Sequence, residues 1–137
     1  MQTISLNKTA IGLQHLAKNA SALFSAGLPV IRFEEKKEKY FWARPEHICF
    51  VVSADHYVKA LISYGKQKKW MSRHCTIKDL LGILPGGDFI RLNKFYLLNR
   101  SHFAGINEAD KILFIDDNFP VPVPHCISKY MLDAVKK

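Results

Sequence analysis

The feature that most constrains the fold is the spacing of apolar residues from Val30 onward. These residues form short runs, and charged or glycine-containing breaks such as Glu35–Lys39 and Tyr64–Gln67 separate them. Such runs predict β-strands joined by tight turns, since an amphipathic helix needs apolar residues at three- and four-residue steps over a longer stretch. The pattern predicts a mainly β protein with an antiparallel meander, whose expected strands are residues 30–34, 40–43, 47–52, 57–64 and 68–73.

Two short helices are expected after this meander. Thr76 followed by Asp79 resembles a capping box, and apolar residues on one helical face continue until Pro85. Residues 127–135 also have helical periodicity, and Pro124 suits the first turn of this final helix. Between the two helices, the expected extended segments are residues 89–92 and 96–99. Ile106 and residues 111–115 then suggest a further hairpin that turns at 116–118.

The beginning of the chain has a different pattern. Apolar residues recur at three- and four-residue steps between Thr9 and Ser25, which predicts an amphipathic helix that Gly27 and Pro29 end. Such a helix could pack on a sheet or serve in dimerisation. The expected organisation is therefore a helical extension, residues 1–28, followed by a β domain, residues 29–137.

Length and cysteine content indicate the class of protein. A chain of 137 residues with 48% apolar residues can form one domain without disulfides or metals. Its three cysteines are an odd number without close pairing, which favours free thiols in a reducing compartment, by default the cytoplasm. No apolar run approaches the roughly 18 residues that a membrane-spanning helix needs, so no membrane insertion is expected.

Positive charge is concentrated in one part of the sequence. The formal net charge is +8, and residues 56–105 contain nine Lys and Arg but only two Asp and Glu, a difference of +7. A concentrated positive field suits a polyanion, because each neutralised phosphate releases counterions. A solvated basic face without a partner would give the same composition, so charge alone leaves both interpretations open.

No pattern of residues indicates an enzyme, a metal site or a cofactor. The adjacent pairs His74-Cys75 and His125-Cys126 lack the two-to-four-residue spacing that lets both side chains bind one ion. The Gly86-Gly87 pair lacks the following Lys and Ser or Thr of a phosphate-binding loop. Asp116 and its neighbour Asp117 fit a solvated turn. We therefore expect a non-catalytic protein without metal or cofactor.

Residues 89–100, FIRLNKFYLLNR, combine apolar anchors with a polar centre. Asn93 and Lys94 stand between apolar residues on both sides. This arrangement would hold a short polar turn on a firm scaffold, so that its side chains could reach a base edge or a phosphate. A surface turn with solvated Asn and Lys side chains is the alternative.

This segment resembles the motif of the LytTR-type DNA-binding domain, in which an aromatic, an Arg, an apolar residue, a polar turn, an aromatic, two aliphatics and an Asn follow in order. The resemblance extends over about Val30 to Lys136 and includes the segments 45–52, 54–58, 76–80 and 121–125. It implies antiparallel sheets with short helices, here with an added N-terminal and a C-terminal helix. It also implies a transcription regulator that inserts loops into the major groove of duplex DNA.

The resemblance also implies which residues meet DNA. The loops would be the approach to Tyr57, the turn Asn93-Lys94-Phe95 and the junction Pro124-His125. At the last two loops the family has His, Arg and Ser, and then Ser and Arg, so the base preference should differ here. Lys in place of Arg offers a point charge instead of a two-pronged donor. The expected phosphate contacts are Lys59, Arg91, Arg100 and Lys129.

Partners beyond DNA follow only from the same resemblance. A homodimer on repeated half-sites and a regulatory protein partner are left open. The alternative function is a basic β domain that binds RNA or a protein. The expected burial of aromatics such as Phe50, Phe89 and Phe114 disfavours RNA, because single-strand binders display aromatics on their surface.

Overall fold

A computed structural model describes residues 30–136 of the chain. The predicted N-terminal helix and the extension of residues 1–28 lie outside this range. The described part contains two α-helices, α1 (Ile77–Ile83) and α2 (Lys129–Lys136), and two 3₁₀ turns, Pro45–His47 and Arg100–His102. Its strands are β1 (Ile31–Lys36), β2 (Lys39–Ala43), β3 (Ile48–Ala54), β4 (Tyr57–Tyr64), β5 (Gln67–Arg73), β6 (Phe89–Arg91), β7 (Tyr96–Asn99), β8 (Phe103–Asn107), β9 (Ile112–Ile115) and β10 (Phe119–Pro122).

The strands form two antiparallel sheets. A seven-stranded sheet has the order β2-β1-β5-β4-β3-β7-β6, and a three-stranded sheet has the order β10-β9-β8. The mainly β class agrees with the sequence prediction, and so do strands β1 to β7 and β9 apart from their ends, whereas β8 and β10 were not predicted as separate strands. The simple meander does not, because β3, β4 and β5 pair in succession but β1 pairs with β5, which leaves β2 at the edge. The outer strand of the small sheet, β10, contains Pro120 and Pro122.

The large sheet is buried on both faces over strands β3, β4 and β7. On one face α1 packs its apolar side chains, such as Ile77 and Leu80, against the strands. On the other face lie the small sheet and α2, which contributes Val135. Central strand β4 supplies both cores, since Ala60 faces the first and Leu61 the second. The result is three layers with the large sheet in the middle.

Local sequence signals explain the turns and the first helix. Gly65, in the turn between β4 and β5, has φ +59°, a conformation that glycine adopts without steric cost. The capping box at α1 is confirmed: Thr76 Oγ1 accepts from the backbone N–H of Asp79 at 3.0 Å, and the Asp79 carboxylate accepts from the backbone N–H of Thr76 at 3.2 Å. These two bonds satisfy donors that the helix itself leaves free.

The C-terminal helix begins later than its sequence suggests. It starts at Lys129, and Ser128 Oγ accepts from the backbone N–H of Met131 at 3.2 Å, as an N-cap residue does. Pro124 therefore lies outside the helix, in an irregular segment after β10, and not in the first turn as expected. In residues 30–136, no helix is long and apolar enough to cross a membrane.

Candidate nucleic-acid interface

Three connections meet at one end of the large sheet. We call them the loop cluster: residues 54–57 between β3 and β4, residues 92–95 between β6 and β7, and residues 123–126 after β10. The backbone N–H of Ser53, in β3 directly before the first connection, donates to the carbonyl of Phe95 at 2.8 Å, which brings the first connection beside the second. Asn93 Nδ2 donates to the carbonyl of Cys126 at 2.9 Å, which joins the second to the third. The three loops that the sequence analysis selected are thus neighbours.

Asn93 joins the second and third connections through its side chain. Its Oδ1 accepts from the backbone N–H groups of Phe95 and Tyr96 at 2.8 and 3.0 Å, which closes the turn. Its Nδ2 reaches the carbonyl of Cys126 in the third connection. With three hydrogen bonds inside the protein, this amide serves to position its neighbours.

An aromatic stack links the second and third connections. The rings of Phe95 and His125 lie 3.8 Å apart between centroids with an angle of 17°, and Lys94 Nζ lies 5.1 Å from the centre of the Phe95 ring. The backbone N–H of His125 donates to Tyr96 Oη at 3.0 Å. Burial raises the pKa of the Tyr96 phenol, which therefore stays neutral and can accept this bond. The exposed side chains of Lys94 and His125 are held side by side.

Arg91 supports the same turn from β6. Its Nε donates to the carbonyl of Asn93 and its Nη2 to the carbonyl of Lys94, both at 3.3 Å. A guanidinium has five N–H donors, so three remain for another acceptor. Arg91 is exposed and lies at the base of the turn. It can therefore shape the turn and still contact an anion.

Tyr57 ends the first connection of the loop cluster, and Lys59 follows it in β4. Tyr57 begins β4, and its ring lies 6.2 Å from the ring of His74 between centroids. Lys59 is exposed and pairs with Val52, whose partner on the other side is Tyr96. Strand alternation puts Tyr57 and Lys59 on the same face of β4. Both side chains thus lie close to the loop cluster.

Two predicted residues lie elsewhere or are already paired. Arg100 follows β7 at the end opposite to Tyr96, so the whole strand separates it from the loop cluster. Lys129 begins α2 four residues after His125, and its Nζ lies 3.9 Å from the Asp133 carboxylate. In the part of the chain that the structure describes, no ion pair involves Lys59, Arg91 or Lys94.

The sequence analysis missed His74 as part of this surface. The position of His74 could have been deduced from the β4–β5 hairpin. A hairpin that pairs Tyr64 with Gln67 also pairs Val58 with Arg73. The same register brings Tyr57 opposite His74. The surface also carries one carboxylate, Asp55, exposed at the tip of the first connection. The positive charge therefore comes from Lys94 and from the flanking cations.

Comparison with known proteins identifies the fold. The structure is similar to the LytTr DNA-binding domain of a response regulator from Bacillus cereus, with a TM-score of 0.52 and 15% sequence identity; the match covers 69% of this chain and 84% of that one. The chain has a LytTR-type fold. No protein-family model matches the sequence, and no curated protein matches it either. The LytTR resemblance of residues 89–100 is thus confirmed for the fold by a comparison of structures.

Proposed function

We propose that this protein binds duplex DNA in a sequence-specific manner and acts in the cytoplasm as a transcription regulator without catalytic activity. The observation that carries the proposal is the junction of the second and third connections of the loop cluster by Asn93 and the Phe95–His125 stack. This junction holds two exposed side chains, Lys94 and His125, in fixed positions on a LytTR-type fold. Fixed polar tips on a rigid scaffold favour specific contacts, because little ordering is needed on binding.

The residues of the interface have different proposed tasks. Lys94, His125 and Tyr57 reach toward base edges from three loops. Lys59, Arg91 and Lys129 contact phosphates, which supply affinity without sequence preference. Asn93 and Phe95 position these side chains, and we leave Arg100 out of the contact set because it lies at the far end of β7.

The major groove is the part of DNA that fits these loops. It is about 12 Å wide, and each base pair presents a distinct pattern of donors and acceptors in it. Lys94 can donate to guanine O6 or N7, which are acceptors on the groove edge. Because an ammonium group is a point charge, a guanine contact by Lys94 should discriminate less than the two-pronged contact of an Arg.

Selection of bound fragments from a random duplex pool tests binding and specificity together. We expect an enriched motif for the native protein. If Lys94 contacts a base, Lys94→Ala should relax the base preference at one position of the motif and cost about 1 to 3 kcal/mol of binding free energy. If Lys94 contacts a phosphate, affinity should fall equally for all sequences, and the dependence of affinity on salt should become weaker. Lys66→Ala is the matched control, since Lys66 is an exposed residue in the β4–β5 turn at the other end of β4.

Two results would contradict the proposal. One is the absence of any enriched duplex motif, and the other is an equal effect of Lys94→Ala and Lys66→Ala. Competition of labelled duplex DNA with single-stranded RNA belongs to the same experiment. Stronger binding of RNA than of duplex DNA would favour the alternative of an RNA-binding β domain.

A further inference from the structure

A second polar cluster lies where the two sheets meet, at the end of β7 away from the loop cluster. It consists of Cys49 in β3, His102 in the second 3₁₀ turn and Asp116 directly after β9. One sulfur, nitrogen or oxygen atom from each residue lies within 4.8 Å of the other two. Lys68 from β5 approaches from the outside, with Nζ 2.8 Å from Asp116 Oδ2.

The hydrogen bonds of His102 require a positive centre between this residue and Asp116. His102 Nε2 lies 2.7 Å from the carbonyl oxygen of Glu46, which can only accept, so Nε2 must carry a hydrogen. Nδ1 of a neutral ring would then direct its lone pair at Asp116 Oδ1, 2.8 Å away. Two electron-rich atoms at this distance repel each other. Either a second proton or a metal ion must lie there.

Cys49 supplies the third donor atom of the cluster. Its side chain is fully buried, and its Sγ lies 3.7 Å from the carbonyl oxygen of His47, which is a weak contact. A metal ion at this point would displace the thiol proton and gain a thiolate ligand. A proton between His102 and Asp116 would involve these two residues alone, whereas a metal ion uses the donor atoms of all three.

The surroundings resemble those of metal-binding side chains. A metal-binding His usually donates its second ring N–H to a carbonyl or carboxylate, as His102 Nε2 does toward Glu46. Lys68 holds Asp116 Oδ2 and leaves Oδ1 for the ion. Side-chain exposures of 17% for His102 and 34% for Asp116 give solvent access to the site.

We propose that Cys49 Sγ, His102 Nδ1 and Asp116 Oδ1 bind one Zn²⁺, with water as the fourth ligand. Mixed sulfur, nitrogen and oxygen donors suit zinc, and metal–ligand lengths of about 2.0 to 2.3 Å require donor atoms roughly 3 to 4 Å apart. Shifts of less than about 1 Å would reach this geometry. The proposal departs from the expectation of no metal, which considered only ligands that are close in sequence.

Cobalt titration tests the site with the full chain, stripped of metal and kept reduced. We expect a thiolate-to-cobalt charge-transfer band in the near ultraviolet that saturates at one equivalent of Co²⁺ and disappears when Zn²⁺ displaces it. Cys49→Ser should abolish the band, whereas Cys75→Ser and Cys126→Ser should keep it. Asp116→Asn should weaken Co²⁺ binding by at least about tenfold.

The proposal fails if excess Co²⁺ produces no such band, in which case His102 carries the second proton. It also fails if the band persists in Cys49→Ser. Should Cys49→Ser not fold, His102→Gln replaces it, since an amide keeps a donor toward the Glu46 carbonyl but removes the imidazole ligand; an unchanged affinity for Co²⁺ in this variant would equally overturn the proposal. DNA binding is measured separately and at another surface, so failure here leaves the proposed function untouched.

Discussion

Replacement of Asn93 by alanine separates the positioning role of this side chain from the stability that it provides. The substitution removes three hydrogen bonds: two that Oδ1 accepts from Phe95 and Tyr96, and one that Nδ2 donates to Cys126. Each contributes about 0.5 to 1.5 kcal/mol net. Asn93 is half-buried, so water replaces part of the loss and the lower end of the sum applies. We expect the free energy of unfolding to fall by about 2 kcal/mol.

The same substitution should weaken DNA binding at a temperature at which the variant is still folded. Without Asn93 the turn and residues 123–126 lose their link, and Lys94 and His125 must be ordered when DNA binds. We expect affinity for the selected duplex to fall at least tenfold, or about 1.4 kcal/mol. Thermal unfolding followed by circular dichroism should show a midpoint about 6 to 10 °C lower. Affinity is measured by fluorescence anisotropy well below that midpoint.

Asn99→Ala is the matched control. Asn99 also makes three hydrogen bonds, with the carbonyl of Ile48 and with the backbone and hydroxyl of Ser101, but it lies at the opposite end of β7. It is 2% exposed, so its replacement should destabilise the fold at least as much. Its effect on DNA affinity should be small. Equal losses of affinity in both variants would refute the positioning role of Asn93.

Two further predictions concern the fold. Thr76→Ala removes the bond to the N–H of Asp79 and should lower the free energy of unfolding by about 1 kcal/mol, measured by urea denaturation; an unchanged midpoint would contradict the capping role. The Lys69 ammonium holds the pKa of Glu35 below its ordinary value. The ionised Glu35 carboxylate therefore stabilises the fold at pH values above its unfolded-state pKa. This contribution is lost as the pH falls through its folded-state pKa. On acidification below about pH 5, Glu35→Gln should therefore lose less stability than the native protein does. Asp117→Asn is the control. Identical stability-against-pH profiles for all three proteins would count against a stabilising Glu35–Lys69 pair.

Local patterns predict strands well in this chain because each run is bounded by residues that disfavour continuation. The bounds of β4 and the end of β5 agree with the alternation of apolar side chains and with the glycine turn between them. The capping box of α1 is likewise a local signal that needs no knowledge of the rest of the fold. Both classes of feature depend on residues within a few positions of one another.

Contacts between distant segments could not be deduced in the same way. The pairing of Glu34 in β1 with Ser72 in β5, instead of β2 with β3, depends on which faces the layers cover. The stack of Phe95 on His125 depends on the path of the chain after β10, and the expected early start of the last helix placed that path wrongly. Tertiary packing decides such contacts, and no local pattern of a single sequence contains it.

The two prolines of β10 restrict how copies of this chain can associate. Pro120 and Pro122 occupy alternate positions, so the N–H groups that they lack belong to the same side of the strand, and the ladder with β9 occupies the other. A strand of a neighbouring molecule that paired with the free edge of β10 would lack two successive backbone N–H donors. Edge-to-edge growth into fibrils is thereby disfavoured there, as is any dimer that would pair two copies of β10.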